Sequence, residues 1–179
     1  MYKIDDLIIY GNTGACKIMD ITTPENISTD KCQLYYVIKP LDQGFIIYTP
    51  VDTTMFMRPI LSAEEVERLI DMIPTINADP YYNSRTNELT HHYEAILQSH
   101  NCADLIKLFL SIQIKKEIIE QQNRKLGQVD ERFMKQVEEL LHNEFALALN
   151  IPKDEVHDYI ALRVEAINQK ESQNKSASM

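Results

Sequence analysis

The chain has 179 residues, of which 44% are hydrophobic and 25% charged, a composition typical of a folded protein and too apolar for a disordered one. Its net charge of −9 argues against nonspecific, high-affinity nucleic-acid binding by the protein as a whole, because such proteins usually carry a basic surface. No apolar run approaches the ~18–20 residues of a membrane span, and the opening Met-Tyr-Lys-Ile-Asp-Asp lacks the apolar core of a signal peptide. We therefore expect a soluble, cytoplasmic protein.

The first third of the chain consists of short apolar runs separated by turn residues. These runs cover residues 7–10, 15–21, 33–38 and 45–49, and Pro50 ends the last of them. This spacing predicts a small antiparallel β-barrel over residues 1–59. A barrel of this length has a thin core, so we expect it to gain stability by docking onto a partner.

From residue 61 the apolar period changes from two to 3.6, which indicates helices. Ser62 and Glu65 form a capping box at the first helix start, and Asn101 and Asn150 are suited to a helix start and a helix end. Helices are predicted at residues 62–73, 88–99, from 101 onwards, 133–149 and 152–168. The helix after Asn101 is apolar nearly all round, which predicts a position at the centre of a bundle. The fold class is therefore α+β, a β-barrel followed by a compact helical domain over residues 60–168, and the Ser/Asn/Gln/Lys-rich residues 169–179 predict a disordered tail.

Positive charge is concentrated in one segment. Residues 102–127 carry five basic and three acidic side chains, whereas residues 61–179 as a whole have a net charge of −7. Lys115, Lys116, Arg124 and Lys125 lie in the polar second half of the central helix. They form either a solvated helix face or a patch that contacts DNA phosphates.

Motifs for catalysis and metal binding are absent from the sequence. There is no Gly-rich phosphate loop, no GxSxG, no HExxH and no EF-hand loop. His91 and His92 are adjacent, so on a helix they point about 100° apart and cannot chelate one ion. The three cysteines form no CxxC pair, which predicts reduced, buried thiols. We predict no catalytic residues, no metal site and no cofactor.

An ordered series of segments resembles the CarD-like proteins, which include the RNA-polymerase-interacting module of transcription-repair coupling factor. The series is Tyr2-Lys3-Ile4-Asp5-Asp6-Leu7-Ile8-Ile9-Tyr10, Gly14-Ala15, Ile18 to Ile21, Tyr35-Tyr36-Val37-Ile38, Ile46-Ile47-Tyr48-Thr49-Pro50-Val51-Asp52, Arg58-Pro59-Ile60-Leu61-Ser62-Ala63-Glu64-Glu65, Tyr93-Glu94-Ala95 and Glu144 to Leu149. The resemblance covers residues 2–168, and its order along the chain is what supports it.

The resemblance implies a Tudor/SH3-like barrel that binds the β subunit of bacterial RNA polymerase. It further implies a helical domain that contacts promoter DNA weakly and stabilises the open complex, with no chemistry of its own. The polymerase-binding residues it implies are Ile27, Ile46, Ile47, Tyr48 and Thr49. The expected partners are polymerase and, in its presence, promoter DNA, and we expect a monomer that does not bind membranes.

Two departures from the family pattern affect both interfaces. The family's Trp, which wedges into the minor groove, falls on Leu89 when the sequences are anchored at Tyr93, and its basic pair falls on His91 and His92. Leu89 is either an apolar wedge or a core residue that packs beside Tyr93. The full set of predicted DNA contacts is Leu89, His91, His92, Lys115, Lys116, Arg124 and Lys125. In the first domain, Tyr48 occupies a position where the family often has Arg.

Three hypotheses for the function follow. The first is a CarD-like transcription factor that binds polymerase and contacts DNA. The second is a polymerase-binding relative whose helical domain does not bind DNA, which the net charge of −7 over residues 61–179 favours. The third, from a different class, is an enzyme that uses His91 or His92 with an acid.

Overall fold

A computed structural model describes residues 1–23 and 33–177 of the chain. The chain divides into two compact units, Met1–Ile60 and Leu61–Met179. The first unit is built from β-strands and the second from α-helices. The predicted α+β class is therefore confirmed.

The N-terminal unit is one antiparallel sheet of five strands in the order β4-β3-β2-β1-β5. The strands are β1 (Leu7–Tyr10), β2 (Gly14–Thr22), β3 (Tyr35–Pro40), β4 (Ile47–Pro50) and β5 (Met57–Pro59). A 3-10 turn joins β1 to β2, with φ of +45° at Gly11 and +86° at Gly14. Glycine suits both positions because a side chain at positive φ is strained.

The inner face of this sheet carries a small core. It consists of Ile8, Tyr10, Cys16, Ile18, Tyr36 and Ile38. The backbone N–H of Tyr2 donates to the hydroxyl of Tyr36 at 2.9 Å, which ties the N-terminus to this core. Burial raises the pKa of Cys16 to about 12, so this thiol is protonated and unreactive at neutral pH. As predicted, Cys16 and Cys102 are buried and not joined in a disulfide, while Cys32 lies outside the described residues.

The C-terminal unit contains five helices around one large core. They are α1 (Ala63–Met72), α2 (Thr86–Leu97), α3 (Cys102–Gln121), α4 (Gln128–Leu149) and α5 (Val156–Ala177). The predicted caps are confirmed: Ser62 and Glu65 form the capping box of α1, Asn101 Oδ1 accepts the N–H of Ala103 at 2.8 Å, and Asn150 is left-handed with φ of +52°. Each cap satisfies backbone groups that a helix end leaves unpaired.

The last helix is longer than the composition predicts. α5 continues through Ala177, whereas we expected disorder from Gln169 onwards. This segment contains no Gly or Pro, and an established helix gains one hydrogen bond for each residue that it adds. The hydroxyl of Ser172 also donates to the carbonyl of Asn168 at 2.9 Å. Low hydrophobicity therefore did not end the helix here.

Candidate functional site

Strand β4 forms one edge of the N-terminal sheet, where its side chains alternate between two environments. Ile47 is half-buried against the small core, and Thr49 is buried with 4% of its surface exposed. Ile46 just before the strand and Tyr48 within it are 53% and 45% exposed. The two-residue period of a strand accounts for this alternation. At this edge the side chains of Ile46 and Tyr48 therefore face solvent, and those of Ile47 and Thr49 face the core.

The backbone of β4 alternates in the same way. The N–H of Val51 donates to the carbonyl of Leu34 at 3.0 Å, in register with the pairing of Thr49 to β3. In an antiparallel ladder the residues between such bonded positions direct their N–H and C=O away from the partner strand. Tyr48 and Pro50 occupy these positions, and β4 pairs only with β3 among the described strands. Pro50 has no N–H, so its place at the outer edge removes no bond from the sheet.

Further apolar side chains are exposed in the connection that leads into β4, where Phe45 is 50% exposed and Leu41 is 45% exposed. Phe45, Ile46 and Tyr48 lie within four consecutive residues, and we call them the β4 edge surface. Sequence reasoning missed Phe45 and Leu41 as surface residues. We assigned Phe45 to the strand itself, whereas β4 begins only at Ile47.

The predicted polymerase-binding residues therefore separate into three groups. Ile46 and Tyr48 lie on the β4 edge surface. The side chains of Ile47 and Thr49 face the core, because adjacent residues of a strand point to opposite faces. Their part in polymerase binding stays a prediction. Ile27 lies outside the described residues.

Leu89 belongs to the core of the helical unit, which contradicts its predicted role as a DNA wedge. Only 6% of its surface is exposed, and it packs in the main apolar cluster together with Tyr93 and Leu97 from the same helix. A wedge must be free to insert between bases. The alternative that α2 uses Leu89 for packing one turn before Tyr93 is the correct one.

Lys115 is also buried, so it cannot contact DNA phosphates. Its ammonium lies 2.8 Å from Asp130 Oδ1, and the hydroxyl of Tyr93 donates to the same oxygen at 2.6 Å. The side chains of Lys115 and Asp130 are 6% and 5% exposed, and the ring of Tyr82 lies 5.2 Å from the ammonium. Burial and the bond to Asp130 both raise the pKa of Tyr93. This buried polar cluster joins α2, α3 and α4.

The remaining predicted DNA contacts are spread over two places in the helical unit. His91 is exposed on α2, with Nδ1 3.6 Å from a carboxylate oxygen of Glu94. His92 stacks on Tyr81 with ring centroids 3.9 Å apart, and burial lowers its pKa, so it is mostly neutral at pH 7. Lys116 is half-buried in α3, and Arg124 and Lys125 are exposed after its end. Among these predicted contacts, only Arg124 and Lys125 are neighbours in the sequence that are both exposed and both basic.

Neither a metal centre nor a membrane span emerges from the described part of the chain. No group of three or more His, Cys, Asp or Glu side chains within residues 1–23 and 33–177 could hold a metal ion. The helices in that range are too short or too polar to cross a bilayer. The β4 edge surface offers a partner backbone groups and apolar side chains.

Comparison with known proteins agrees with this geometry. Residues 2–61 match the family described as the CarD-like/TRCF RID domain, and the match ends where the helical unit begins. The N-terminal unit is thus a domain of a protein-interaction class with a Tudor-like fold. The predicted resemblance to the CarD-like proteins is therefore confirmed for residues 2–61. Domains of this family interact with the RNA polymerase β subunit and are non-enzymatic. No curated protein matches the chain.

Proposed function

We propose that this protein is a transcription regulator that binds the β subunit of RNA polymerase by adding a strand to β4. One observation carries the proposal: an RNA-polymerase-interacting type of domain presents an edge strand whose outer backbone groups, at Tyr48, have no partner strand among the described residues. Strand addition uses main-chain hydrogen bonds for affinity and alternate side chains for specificity. The alternate side chains here are Ile46 and Tyr48.

The chemistry of the β4 edge surface sets the character of the proposed contact. Phe45, Ile46 and Tyr48 are apolar or aromatic, and each is at least 45% exposed. Burial of such side chains against a partner stabilises a complex without formation of ion pairs. Because Tyr48 stands where the family often has Arg, binding to polymerase should depend only weakly on salt.

The proposed effect on transcription is stabilisation of the promoter open complex through weak DNA contacts of the helical unit. Arg124 and Lys125 are the best remaining candidates for phosphate contact, because both are exposed and permanently charged at neutral pH. Leu89 and Lys115 take no part in it. The alternative is a polymerase-binding protein whose helical unit leaves DNA untouched. The burial of Leu89 and the charge of −7 over residues 61–179 favour that alternative.

Binding to the isolated β subunit tests the first part of the proposal. Tyr48→Ala removes the aromatic contact and should weaken binding by ~1–2 kcal/mol, which is roughly 5–30-fold. Tyr48→Pro removes the outward N–H as well, and an edge strand tolerates Pro at such a position. It should therefore bind more weakly than Tyr48→Ala. Biolayer interferometry with immobilised β subunit gives both affinities.

Met55→Ala is the matched control for these variants. Met55 is 51% exposed in the same unit but lies beside Gly11, near strand β5 at the opposite edge of the sheet. Its affinity for the β subunit should equal that of the wild type. If Tyr48→Ala and Tyr48→Pro also bind like the wild type, β4 is not the polymerase-binding edge.

Open-complex lifetime separates DNA contact from its alternative. The double variant Arg124→Ala/Lys125→Ala should shorten the lifetime of a promoter open complex formed with polymerase and this protein, while its affinity for the β subunit stays unchanged. Lys107→Ala, an exposed lysine on α3, is the control for loss of charge alone. If the double variant leaves the open-complex lifetime unchanged, the result supports the alternative, in which the protein binds polymerase and its helical unit does not contact DNA.

A further inference from the structure

A cavity of about 260 Å³ lies within the helical unit, between α3, α4 and α5. Its floor is made of buried apolar side chains, among them Ile106, Leu141 and Phe145. Exposed residues at its rim, Gln113 and Ala161, connect it with solvent. The bundle therefore contains an apolar space that a solute can reach from outside.

The size of the cavity limits what it can hold. Engineered apolar cavities of roughly 150 Å³ remain dry and bind benzene. A volume of about 260 Å³ accommodates a larger molecule, of the size of a bicyclic aromatic. It lies below the range of pockets that take drug-sized ligands, roughly 300–1,000 Å³. An apolar body of about ten non-hydrogen atoms fits this space.

The polar side chains at the rim define the other end of such a ligand. His142 and His157 lie edge to face with ring centroids 6.5 Å apart, and Glu138 lines the same opening. Burial lowers the pKa of His142, which the charge of Glu138 opposes and the charges of His157 and Lys153 assist. A neutral imidazole has one nitrogen that accepts a hydrogen bond, and a carboxylate only accepts. Glu138 therefore offers only acceptors at the rim and repels an anion, and His142 adds one acceptor nitrogen.

We propose that this cavity is a binding site for a small, flat apolar molecule whose polar end is a hydrogen-bond donor without negative charge. The apolar body lies against Leu141 and Phe145, and its donor faces Glu138 and His142. This site is independent of the β4 edge surface, because every residue that lines it belongs to the helical unit. The pattern of an apolar pocket with a few convergent polar groups is that of small-molecule sites in general.

Indole is the probe for this proposal, with 1-methylindole and benzoate as matched comparisons. Titration of the full-length protein, followed by ¹H–¹⁵N NMR, should show indole shifting the amide resonances of residues around the cavity. 1-Methylindole lacks the N–H and should bind several-fold more weakly, because the acceptors at the rim would stay unpaired. Benzoate carries the wrong charge and should not bind.

Two substitutions on α5 test the location of the site. Ala161→Trp places an indole ring at the rim from an exposed position and should weaken indole binding by at least about tenfold. Ala166→Trp adds the same side chain at an exposed position of α5 that does not line the cavity, and should leave binding unchanged. The proposal is overturned if indole shifts no resonance near the cavity, or if Ala161→Trp binds indole like the wild type. Equal binding of indole, 1-methylindole and benzoate would overturn the assignment of a donor end.

Discussion

Replacement of Asp130 by Asn should destabilise the protein strongly, because it leaves a buried ammonium without its counter-ion. In the native structure Asp130 Oδ1 lies 2.8 Å from Lys115 Nζ and accepts the hydroxyl of Tyr93 at 2.6 Å. Both charged side chains are at most 6% exposed. Asn has the same shape, so the effect of the substitution comes from charge and not from a cavity.

The size of the stability loss depends on the contacts that Lys115 and Tyr93 keep in the variant. Loss of one member of a buried ion pair costs about 3–5 kcal/mol. Asn keeps an acceptor for Tyr93, and the ring of Tyr82 still lies 5.2 Å from the ammonium, which contributes up to about 2 kcal/mol of cation–π attraction. We therefore expect a loss near the lower end, about 3 kcal/mol.

Urea unfolding followed by circular dichroism measures this loss. The control is the double variant Lys115→Met/Asp130→Asn, which removes both charges and keeps an acceptor for the hydroxyl of Tyr93. It should be much more stable than Asp130→Asn alone, because no unpaired charge then remains in the core. A loss below about 1 kcal/mol for Asp130→Asn would refute the inference that this pair is a desolvated one.

Three further predictions concern the helical unit. Leu89→Ala should lower the free energy of unfolding in urea by about 2–5 kcal/mol, whereas Leu162→Ala, at a position 69% exposed, should change it little. An unchanged stability of Leu89→Ala would contradict the placement of Leu89 in the core. Because burial lowers the pKa of His142, the native state takes up its proton less readily than the unfolded state, so stability present above pH 6.5 should be lost as pH falls below it. His142→Gln should reduce this dependence, and an identical profile would exclude His142 as its source. Asp71→Asn removes the negative charge and one of the two acceptors that Arg163 contacts at 2.6 Å and 2.9 Å, and it should lower stability by about 0.5–1 kcal/mol. The loss should be smaller at high salt, and a salt-independent loss would contradict an ionic origin.

The elements of this fold were largely predictable because their signals are local. The change of apolar period at residue 61, the Ser62–Glu65 capping box and the left-handed Asn150 depend on residues within one or two helical turns. The turn between β1 and β2 likewise follows from glycines that adopt positive φ. The resemblance of the first domain to the CarD-like family was also readable along the chain, and the match over residues 2–61 confirms that part of it.

The roles of individual polar and apolar side chains depended on contacts between distant segments. In the sequence, Lys115 resembled a surface lysine. Other helices pack around most of α3, so this lysine is buried, and its ammonium contacts Asp130, fifteen residues further along the chain. Leu89 was open to two interpretations until α2 packed against the other helices. The sequence by itself determined the elements, the division between strands and helices, and the family of the first domain. Only the tertiary structure decided which face of each element is buried, because burial is set by the segments that pack against it and not by its own residues.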